Sequence, residues 1–404
     1  MADAVQSFFQ TTALDPEARV DPYPRLKALQ EKCPVMRDEG AGAWIVTRYA
    51  DVRAVVNDRT LWRHPRRAEQ TAVTQVQIAA VEGLDPVYME GESILFLDEP
   101  DHSRIRVPLA KALYARVAKS RPRVDAIVSE VLDRVAGKSS FDLMAEVAIP
   151  IPILVIARIL GVDEERLAEF RRWSEDAILS LTPMRNEDET RRMIDGSNKI
   201  AAYFSELIAA RRAQPRDDLI SDMATSGADI NNAELNINLG ALLVGGNLTT
   251  TDLIGNGVWL LLTHPDQLAK LKADSSLAAS TVEEILRYEP PVDATARVVA
   301  GEREIGGCPM HERQLVLTSL RAANRDPATF PDADRFDIAR KDAPHVAFGG
   351  GAHICIGAPL ARMEAQSALT QIFERFPNLR LAGGGIEWRS LPLFRGIKQL
   401  MVET

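Results

Sequence analysis

The sequence has few of the features that would build a disulfide-bonded or membrane-spanning protein. It contains 3 cysteines in 404 residues, and none stands in a Cys-x-x-Cys spacing, so neither a disulfide framework nor a zinc or dithiol site is predicted. The longest apolar run, Val147–Ala157, contains Pro150 and Pro152 and is shorter than the ~20 residues that cross a bilayer. The first residues also lack the basic start of a signal peptide. We therefore expect a cytoplasmic protein with no membrane partner.

Acidic residues outnumber basic ones, 57 against 48, which gives a formal net charge of −9. This balance argues against nucleic acid as a partner. Apolar residues at 46% and charged residues at 26% are ordinary for a globular protein and exclude disorder as a description of the whole chain. No internal repeat and no long Gly/Ser-rich or Pro-rich linker divides the sequence. We expect a single domain over residues 1–404.

Helical periodicity dominates the middle of the chain. Apolar residues recur at three- and four-residue spacing in four segments, Ala126–Val135, Asp163–Leu181, Arg191–Ala213 and Asn232–Thr263. Short alternating or β-branched runs that indicate strands are Ala43–Val46, Val298–Val299, Leu315–Thr318 and Leu379–Leu381. Residues 324–345 show no sustained period and contain three prolines, which predicts a loop. The fold class is therefore mainly α with small β-sheets.

The most distinctive local feature is the segment HVAFGGGAHICIGAP, residues 345–359, in which four glycines surround Cys355. A phosphate-binding loop would need a following Lys-Ser/Thr, which is absent here. A buried structural cysteine would leave the glycines unexplained. A thiolate in this loop, followed by a helical run, would be stabilised by backbone N–H groups and by the helix N-terminus. That environment suits a metal ligand.

This segment resembles the haem-binding loop of the cytochrome P450 family, Phe-Gly-x-Gly-x-His/Arg-x-Cys-x-Gly. The pattern is filled by Phe348, Gly349, Gly351, His353, Cys355 and Gly357. The resemblance implies the cytochrome P450 fold, with haem b buried between a long central helix and the cysteine loop. It also implies that the Cys355 thiolate is the axial ligand of the iron, which favours O–O bond cleavage.

Three further segments follow the order of the family. Glu284 and Arg287 stand at i and i+3 of a predicted helix, where they can pair, and they match the family's E-x-x-R motif. The segments Ala323–Pro327 and Phe330–Phe336 then resemble its meander. The resemblance gives the Glu284–Arg287 pair a structural role in supporting the cysteine loop.

The two propionates of haem need cationic or hydrogen-bonding partners, best supplied by Arg or His. By position, the resemblance implies four such residues: His102, Arg106, Arg297 and His353. His102 and Arg106 are four residues apart and would share one face of a helix.

The long predicted helix contains two adjacent glycines, Gly245 and Gly246, followed by a run of threonines. Each glycine costs a helix about 1 kcal/mol relative to alanine, so a compensating role is expected. One interpretation is close helix packing at a patch of small residues. The other follows from the resemblance: the glycines form the step where the helix widens over the iron, and Thr249 hydrogen-bonds the oxygen.

The sequence departs from the family at Leu248, where an acid usually begins the proton relay. A leucine cannot transfer a proton. Either the relay is rebuilt from Asn247, Thr250, Asp252, ordered water or the substrate, or the protein is a peroxide-using or nitric-oxide-reducing enzyme. A haem-binding sensor or carrier without turnover is a further alternative.

The chain has no flavin or nicotinamide fingerprint, so its electrons must come from another protein. The resemblance implies a ferredoxin with its ferredoxin reductase. Residues 103–124 carry no acid and seven basic residues, Arg104, Arg106, Lys111, Arg116, Lys119, Arg121 and Arg123. This run would steer an acidic partner. Pro108 within it predicts a kinked or shortened helix.

The main functional prediction is a monooxygenase that hydroxylates a small-to-medium apolar substrate, a terpenoid or an aromatic compound. The resemblance places Val292, Ala294, Thr295, Leu393 and Phe394 in the substrate pocket, together with Leu248. Arg66, Arg67 and Asp293 are candidates for anchoring a charged group of the substrate.

Overall fold

The computed structural model describes residues 8–71, 74, 83–182, 185–341, 344–383 and 385–404, and helices predominate in it. The α-helices, numbered here in chain order, are α1 Pro16–Val20, α2 Tyr23–Lys32, α3 Tyr49–Asn57, α4 Val87–Glu90, α5 Asp101–Val117, α6 Arg121–Asp133, α7 Pro150–Leu160, α8 Leu167–Ala177, α9 Glu187–Ala213, α10 Leu219–Ala224, α11 Asn232–Thr263, α12 Pro265–Ala273, α13 Ala278–Tyr288, α14 Leu320–Ala323 and α15 Ala358–Arg375. Short 3₁₀ turns lie at Phe8–Thr11, Pro65–Arg67, Glu164–Arg166, Ile178–Leu181, Ser275–Leu277 and Gly351–His353, and a π turn lies at Met144–Ala148.

The strands are short and form small sheets, as predicted. They are β1 Val35–Asp38, β2 Ala43–Val46, β3 Ser140–Asp142, β4 Ala294–Val298, β5 Arg303–Ile305, β6 Cys308–Met310, β7 Leu315–Ser319, β8 Arg380–Leu381, β9 Glu387–Trp388, β10 Ile397–Gln399 and β11 Met401–Glu403. The largest sheet has the order β1-β2-β7-β4. Its β2–β7 pair is parallel, with Ala43 opposite Leu315, and its other pairs are antiparallel.

The long helix α11 runs through the centre of the largest hydrophobic core. It begins at a capping box in which Asn231 and Glu234 exchange side-chain-to-backbone hydrogen bonds, which satisfies two free N–H groups. It ends before Pro265, which cannot extend it. The predicted limits of this helix, 232 and 263, are confirmed. Helices α7, α8, α9 and α15 pack around it, so its middle turns are shielded on most sides.

Other helix predictions needed correction at their ends. The predicted segment 163–181 is three elements, because 3₁₀ turns flank Leu167–Ala177 on both sides, as is common at helix termini. The prediction from Arg191 starts too late, since Asn186 and Glu189 form a capping box that begins α9 at Glu187. Pro108 does not shorten α5, which continues to Val117.

The stretch from Asn324 to His345 contains no helix or strand in its described part, as predicted. It is nevertheless well anchored. Arg287 donates hydrogen bonds to the carbonyls of Asn324, Ala333 and Arg335, at 3.0, 2.9 and 3.1 Å. Within the described ranges, no helix has both the length and the apolar composition needed to cross a bilayer.

Candidate active site

The glycines of the cysteine loop are required by its backbone and by its neighbours. Gly349 and Gly351 have positive φ angles of 70° and 62°, which side chains disfavour. A Cβ on Gly351 would also come within 2.7 Å of the Val56 carbonyl oxygen, and a Cβ on Gly350 within 2.7 Å of the Val56 side chain. The loop closes through the Cys355 N–H, which donates to the Phe348 carbonyl at 2.9 Å. These contacts fix the position of the thiol.

Cys355 is an exposed residue, although protein atoms surround its thiol closely. The N–H groups of Gly357 and Ala358, at the start of α15, stabilise a thiolate, as the sequence predicted. Burial nevertheless outweighs them and raises the pKa of the Cys355 thiol. A bound cation is what converts such a thiol to the thiolate. The thiol is therefore suited to a metal that binds sulfur as thiolate.

A second open position lies in the middle of α11. Gly245 is exposed within an otherwise buried stretch, and a Cβ built on it would meet nothing within 4 Å. Thr249, one turn later, is partly exposed and donates its hydroxyl to the Gly245 carbonyl at 3.0 Å. Gly246 differs, because its Cβ would lie 2.8 Å from the Ile156 side chain. Gly245 therefore leaves free space beside α11, whereas Gly246 allows α11 to pack closely on α7.

Three of the predicted propionate partners line one polar cavity of about 180 Å³: His102, Arg297 and His353. The rings of His102 and His353 lie 4.2 Å apart. The buried Nε2 of His102 has no hydrogen-bond partner among the described residues, and such orphaned groups are costly. Arg106, the fourth, instead donates to the Ile354 carbonyl beside Cys355.

Carboxylates of Asp58, Asp98 and Glu99 also line this cavity, but Asp58 binds Arg303 and Asp98 binds Arg67. Within the described ranges, neither Arg297 nor the neighbouring Arg63 forms an ion pair. Burial, together with repulsion from Arg297, lowers the pKa of Arg63 to about 9. Burial lowers the pKa of Arg297 to about 10, and Asp98 offsets this only in part. Burial and the neighbouring cations lower the pKa of His353 to about 2. Sequence analysis missed Arg63, which stands in an unpatterned basic run.

The donor set fits haem. The uncompensated cations and the orphaned His102 nitrogen suit an anion such as the two propionates, and the open Cys355 sulfur suits a metal that takes thiolate. The two features are linked through the cysteine loop, because His353, which lines the cavity, is two residues before Cys355.

The predicted supporting pair is buried and fully hydrogen-bonded. Arg287 binds Glu284 with Nε at 2.7 Å and Nη2 at 2.8 Å, and both side chains are about 1% exposed or less. Glu284 also accepts from the Asp337 N–H at 2.8 Å. Asn324, which Arg287 holds, accepts from the Val346 N–H at 2.8 Å. This chain of contacts leads directly to the cysteine loop.

Glu283 forms a second support that sequence reasoning missed. It binds Arg362 on α15 at 2.7 Å and His345 at the start of the loop at 3.0 Å. Burial would raise the pKa of Glu283, but His345 and Arg362 outweigh it and lower the pKa to about 2. Arg362 also stacks on Phe348, 4.5 Å from the ring centre. Glu283 thus ties both ends of the loop to α13.

The apolar residues around Leu248 form a separate cluster with only part of the predicted pocket. Leu248 is 3% exposed and packs with Ile178 and Phe394, with Val292 and Leu393 at the edge. Ala294 belongs to another cluster, with Phe8, Phe9, Ala43 and Leu317 as members. Thr295 is half-buried on β4, opposite Thr318.

The charged residues suggested as substrate anchors are mostly engaged elsewhere. Asp293 is paired with Arg321, and Arg67 binds Asp98 at 2.9 Å while it stacks over Trp62. Arg66 is exposed. The suggested anchoring role for Asp293 is therefore wrong, because a buried arginine already satisfies its carboxylate.

Other polar residues near Leu248 are buried or bound to neighbouring residues, unlike the open position at Gly245. Asn247 is fully buried and donates to Ser174 at 2.9 Å, and Asp252 is paired with Arg389. Thr250 is 3% exposed. Thr249 is the polar side chain of this turn that remains open.

The basic run on α5 and α6 is partly neutralised. Arg104 binds Glu234 at 2.6 Å and Arg116 binds Asp222 at 2.6 Å. Lys111, Lys119 and Arg123 are exposed and have no ion-pair partner within the described ranges. Three apolar side chains near this run are also exposed: Val107, Tyr114 and Ile354.

Comparison with known proteins places the chain in a family. The family model of cytochrome P450 matches residues 78–383. The chain is 39% identical over 403 residues to cytochrome P450 107B1 of Saccharopolyspora erythraea, covering 96% of each chain. It is 37% identical to 6-deoxyerythronolide B hydroxylase of the same organism, covering 97% of this chain and 99% of that one.

Solved structures agree with this assignment. P450BioI, in complex with acyl carrier protein ligated to hexadec-9Z-enoic acid, superposes with a TM-score of 0.88 at 32% identity, covering 96% of this chain and 100% of that one. CalO2 superposes with a TM-score of 0.89 at 30% identity, covering 98% of each chain. The chain therefore belongs to the cytochrome P450 family, and its enzyme class is that of the P450 monooxygenases, which are oxidoreductases.

Proposed function

We propose that this P450 holds haem b through Cys355 and hydroxylates a small-to-medium apolar substrate, a terpenoid or an aromatic compound, with O₂ and ferredoxin-derived electrons. The observation that carries the proposal is an accessible thiol on the loop whose His353 lines a cavity with Arg297 and with the Nε2 of His102, which is unpartnered within the described chain. A metal ion would convert the Cys355 thiol to the thiolate, and an anion would balance the charge of Arg297, which is buried without an ion-pair partner among the residues that the structure describes. Haem supplies the iron for the first and the propionates for the second.

Haem held by the Cys355 thiolate would supply the activation of dioxygen for hydroxylation of the substrate. The chain's own residues hold and orient the group. His102, Arg297 and His353 bind the propionates, joined by Arg63. Arg106 keeps the loop backbone at Ile354 in place beside Cys355.

The cluster around Leu248 supports an apolar substrate. Ile178, Leu248 and Phe394 are 6% exposed or less, and such side chains recognise a ligand through shape and desolvation. Relatives that are 37% and 35% identical are named 6-deoxyerythronolide B hydroxylase and vitamin D(3) 25-hydroxylase. Larger apolar molecules therefore belong in the test panel.

Proton supply depends on Thr249. Its hydroxyl donates to the Gly245 carbonyl and keeps its lone pairs free to accept from water. Leu248 supplies no proton, and Asn247 and Asp252 are bound to other residues. This arrangement favours a second candidate function, turnover with peroxide or nitric oxide, in which no acid at position 248 is needed.

An acidic ferredoxin fits the exposed basic residues Lys111, Lys119 and Arg123. Their charge steers association, and Val107 and Tyr114, which are exposed on α5 together with Lys111, offer apolar contact. Ferredoxin and its reductase are thus the proposed electron donors.

The test is reconstitution with product analysis. The purified holoenzyme is mixed with ferredoxin, its reductase and NADH, and the same substrate panel is run with peroxide alone. We expect hydroxylated product only with the electron-transfer proteins, and a fall in rate for Lys111→Glu compared with Lys199→Glu, a surface control on α9. Product from peroxide alone would establish the second candidate. Haem binding without either product would indicate a sensor or carrier.

A further inference from the structure

The turn from Arg389 to Gly396 joins β9 to β10 and carries one wall of the apolar cluster. Leu391, Leu393 and Phe394 lie on it and pack around Leu248. Phe394 also forms an isolated β-bridge with Val292. The position of this turn therefore determines the shape of the cluster.

One stripe of α11 holds the turn along its length. Leu248, Asp252 and Asn256 are spaced by four residues, so they share a helix face. Leu248 contacts the middle of the turn, and Asp252 binds the guanidinium of Arg389 at its start. The Asn256 amide donates to the carbonyl of Arg395, near its end, at 3.1 Å.

The ion pair leaves little freedom for the turn. Asp252 is 1% exposed, and burial raises its pKa although Arg389 and Arg171 counteract this. Gly396 lies so close that a Cβ on it would be 1.9 Å from Asp252 Oδ1. Arg389 closes the turn as its N–H donates to the Gly396 carbonyl at 2.9 Å.

The opposite wall of the apolar cluster is held by α11 residues next to Leu248 and Asp252. Arg171 on α8 donates to Asn247 at 3.3 Å and to Thr251 at 3.1 Å. Ile178, which follows α8, then packs against Leu248. Both walls of the cluster are therefore held in position by neighbouring polar residues of α11.

Stability alone does not explain a buried pair at this place. Desolvation of two charges offsets much of their attraction, so apolar residues would serve stability equally well. An ion pair does, however, hold its two side chains in one defined relative position. Asp252 Oδ1 and Arg389 Nε have no hydrogen-bond partner in the described part of the chain, so this geometry is kept at a cost.

We propose that the Asp252–Arg389 ion pair determines substrate selectivity by fixing the turn 389–396, and with it Leu393 and Phe394, in the pocket. This rests on the proposed function, since it takes the cluster to be where an apolar substrate binds. Asp252 and Arg389 are positioning residues: they act through the turn and do not touch the substrate.

The test compares two probes that bind the haem iron of the holoenzyme. Imidazole reports the iron site alone, and 1-octylimidazole also reports the pocket, each through the shift in haem absorbance. Asp252→Asn is expected to weaken 1-octylimidazole roughly 10-fold, the scale on which pocket shape discriminates apolar groups, and to leave imidazole unchanged. Arg389→Lys, which keeps the charge, is expected to fall between wild type and Asp252→Asn.

Lys398→Gln is the matched control, because Lys398 pairs with Glu387 on the same two strands at 2.9 Å while both are about 60% exposed. It should change neither probe. Equal weakening of both probes by Asp252→Asn, or of neither, would overturn the proposal.

Hydrogen exchange of residues 389–396 tests, without haem, whether the ion pair fixes the turn. The segment should exchange faster in Asp252→Asn, and in Arg389→Lys if the first variant does not fold, but not in Lys398→Gln. Unchanged exchange contradicts the proposal. A protein that lacks a thiolate-type carbonyl spectrum would instead contradict the proposed function, so the two failures are distinct.

Discussion

Two groups of buried arginines lie at the two ends of β4, and only one is balanced by carboxylates. At the start, Arg321 binds Glu289 and Asp293, and these carboxylates outweigh burial and raise the pKa of Arg321 above its ordinary value. Near the end, burial lowers the pKa of Arg297 to about 10, which Asp98 offsets only in part, and Arg297 in turn lowers the pKa of Arg63. The Arg321 group needs no ligand because its charges are already balanced. The group of Arg297 and Arg63, in contrast, requires an anion. Charge balance, more than arginine content, separates a scaffold from a ligand site.

Removing the arginine of the balanced group should have the largest effect on folding. Arg321→Met leaves Asp293 buried without its partner, which costs about 3–5 kcal/mol, whereas Glu289 keeps its ion pair with Arg395 at 2.8 Å. Equilibrium unfolding in denaturant measures this. Arg121→Met, at an exposed pair with Asp125, is the control and should stay within about 1 kcal/mol of wild type. Equal effects of the two variants would remove the distinction between the groups.

Removing an arginine of the unbalanced group should weaken haem binding without destabilising the haem-free protein. Arg297→Met deletes an uncompensated charge, so the haem-free protein should unfold at the same or higher denaturant concentration. Haem should be lost roughly 10–100-fold faster, the range found for groups that support a metal site. Transfer of haem to a scavenging protein measures the rate. Loss of stability in the haem-free protein with unchanged haem transfer would show that this group is scaffold too.

A smaller effect is expected at the half-exposed ion pairs of Glu283. Because its pKa falls from 4.5 to about 2 on folding, its contribution is complete above pH 4.5 and is lost as the pH falls toward 2. Glu283→Gln should cost about 1 kcal/mol at pH 7, discounted because a third of the side chain is exposed to screening water. The difference from wild type should shrink below pH 4.5. Glu302→Gln, at the exposed pair with His311, is the control and should stay within about 1 kcal/mol of wild type.

The sequence reveals those parts of the site that lie in contiguous motifs. The loop around Cys355 and the limits of α11 could be predicted because neighbouring residues carry the pattern. Arg63 and the Asp252–Arg389 pair could not be, since their partners are distant in the chain and neither has a spacing that distinguishes it from a surface charge. Gly245 and Gly246 illustrate the same limit: they are identical in sequence, but only the packing of Ile156 separates their roles.

The carbonyl spectrum of the reduced protein tests the central assignment most directly. Cys355→Ser removes the proposed axial thiolate, and Cys33→Ser and Cys308→Ser are matched controls at the other two cysteines. We predict a thiolate-type spectrum for wild type and both controls, and its loss in Cys355→Ser. A thiolate-type spectrum that survives in Cys355→Ser would contradict the account.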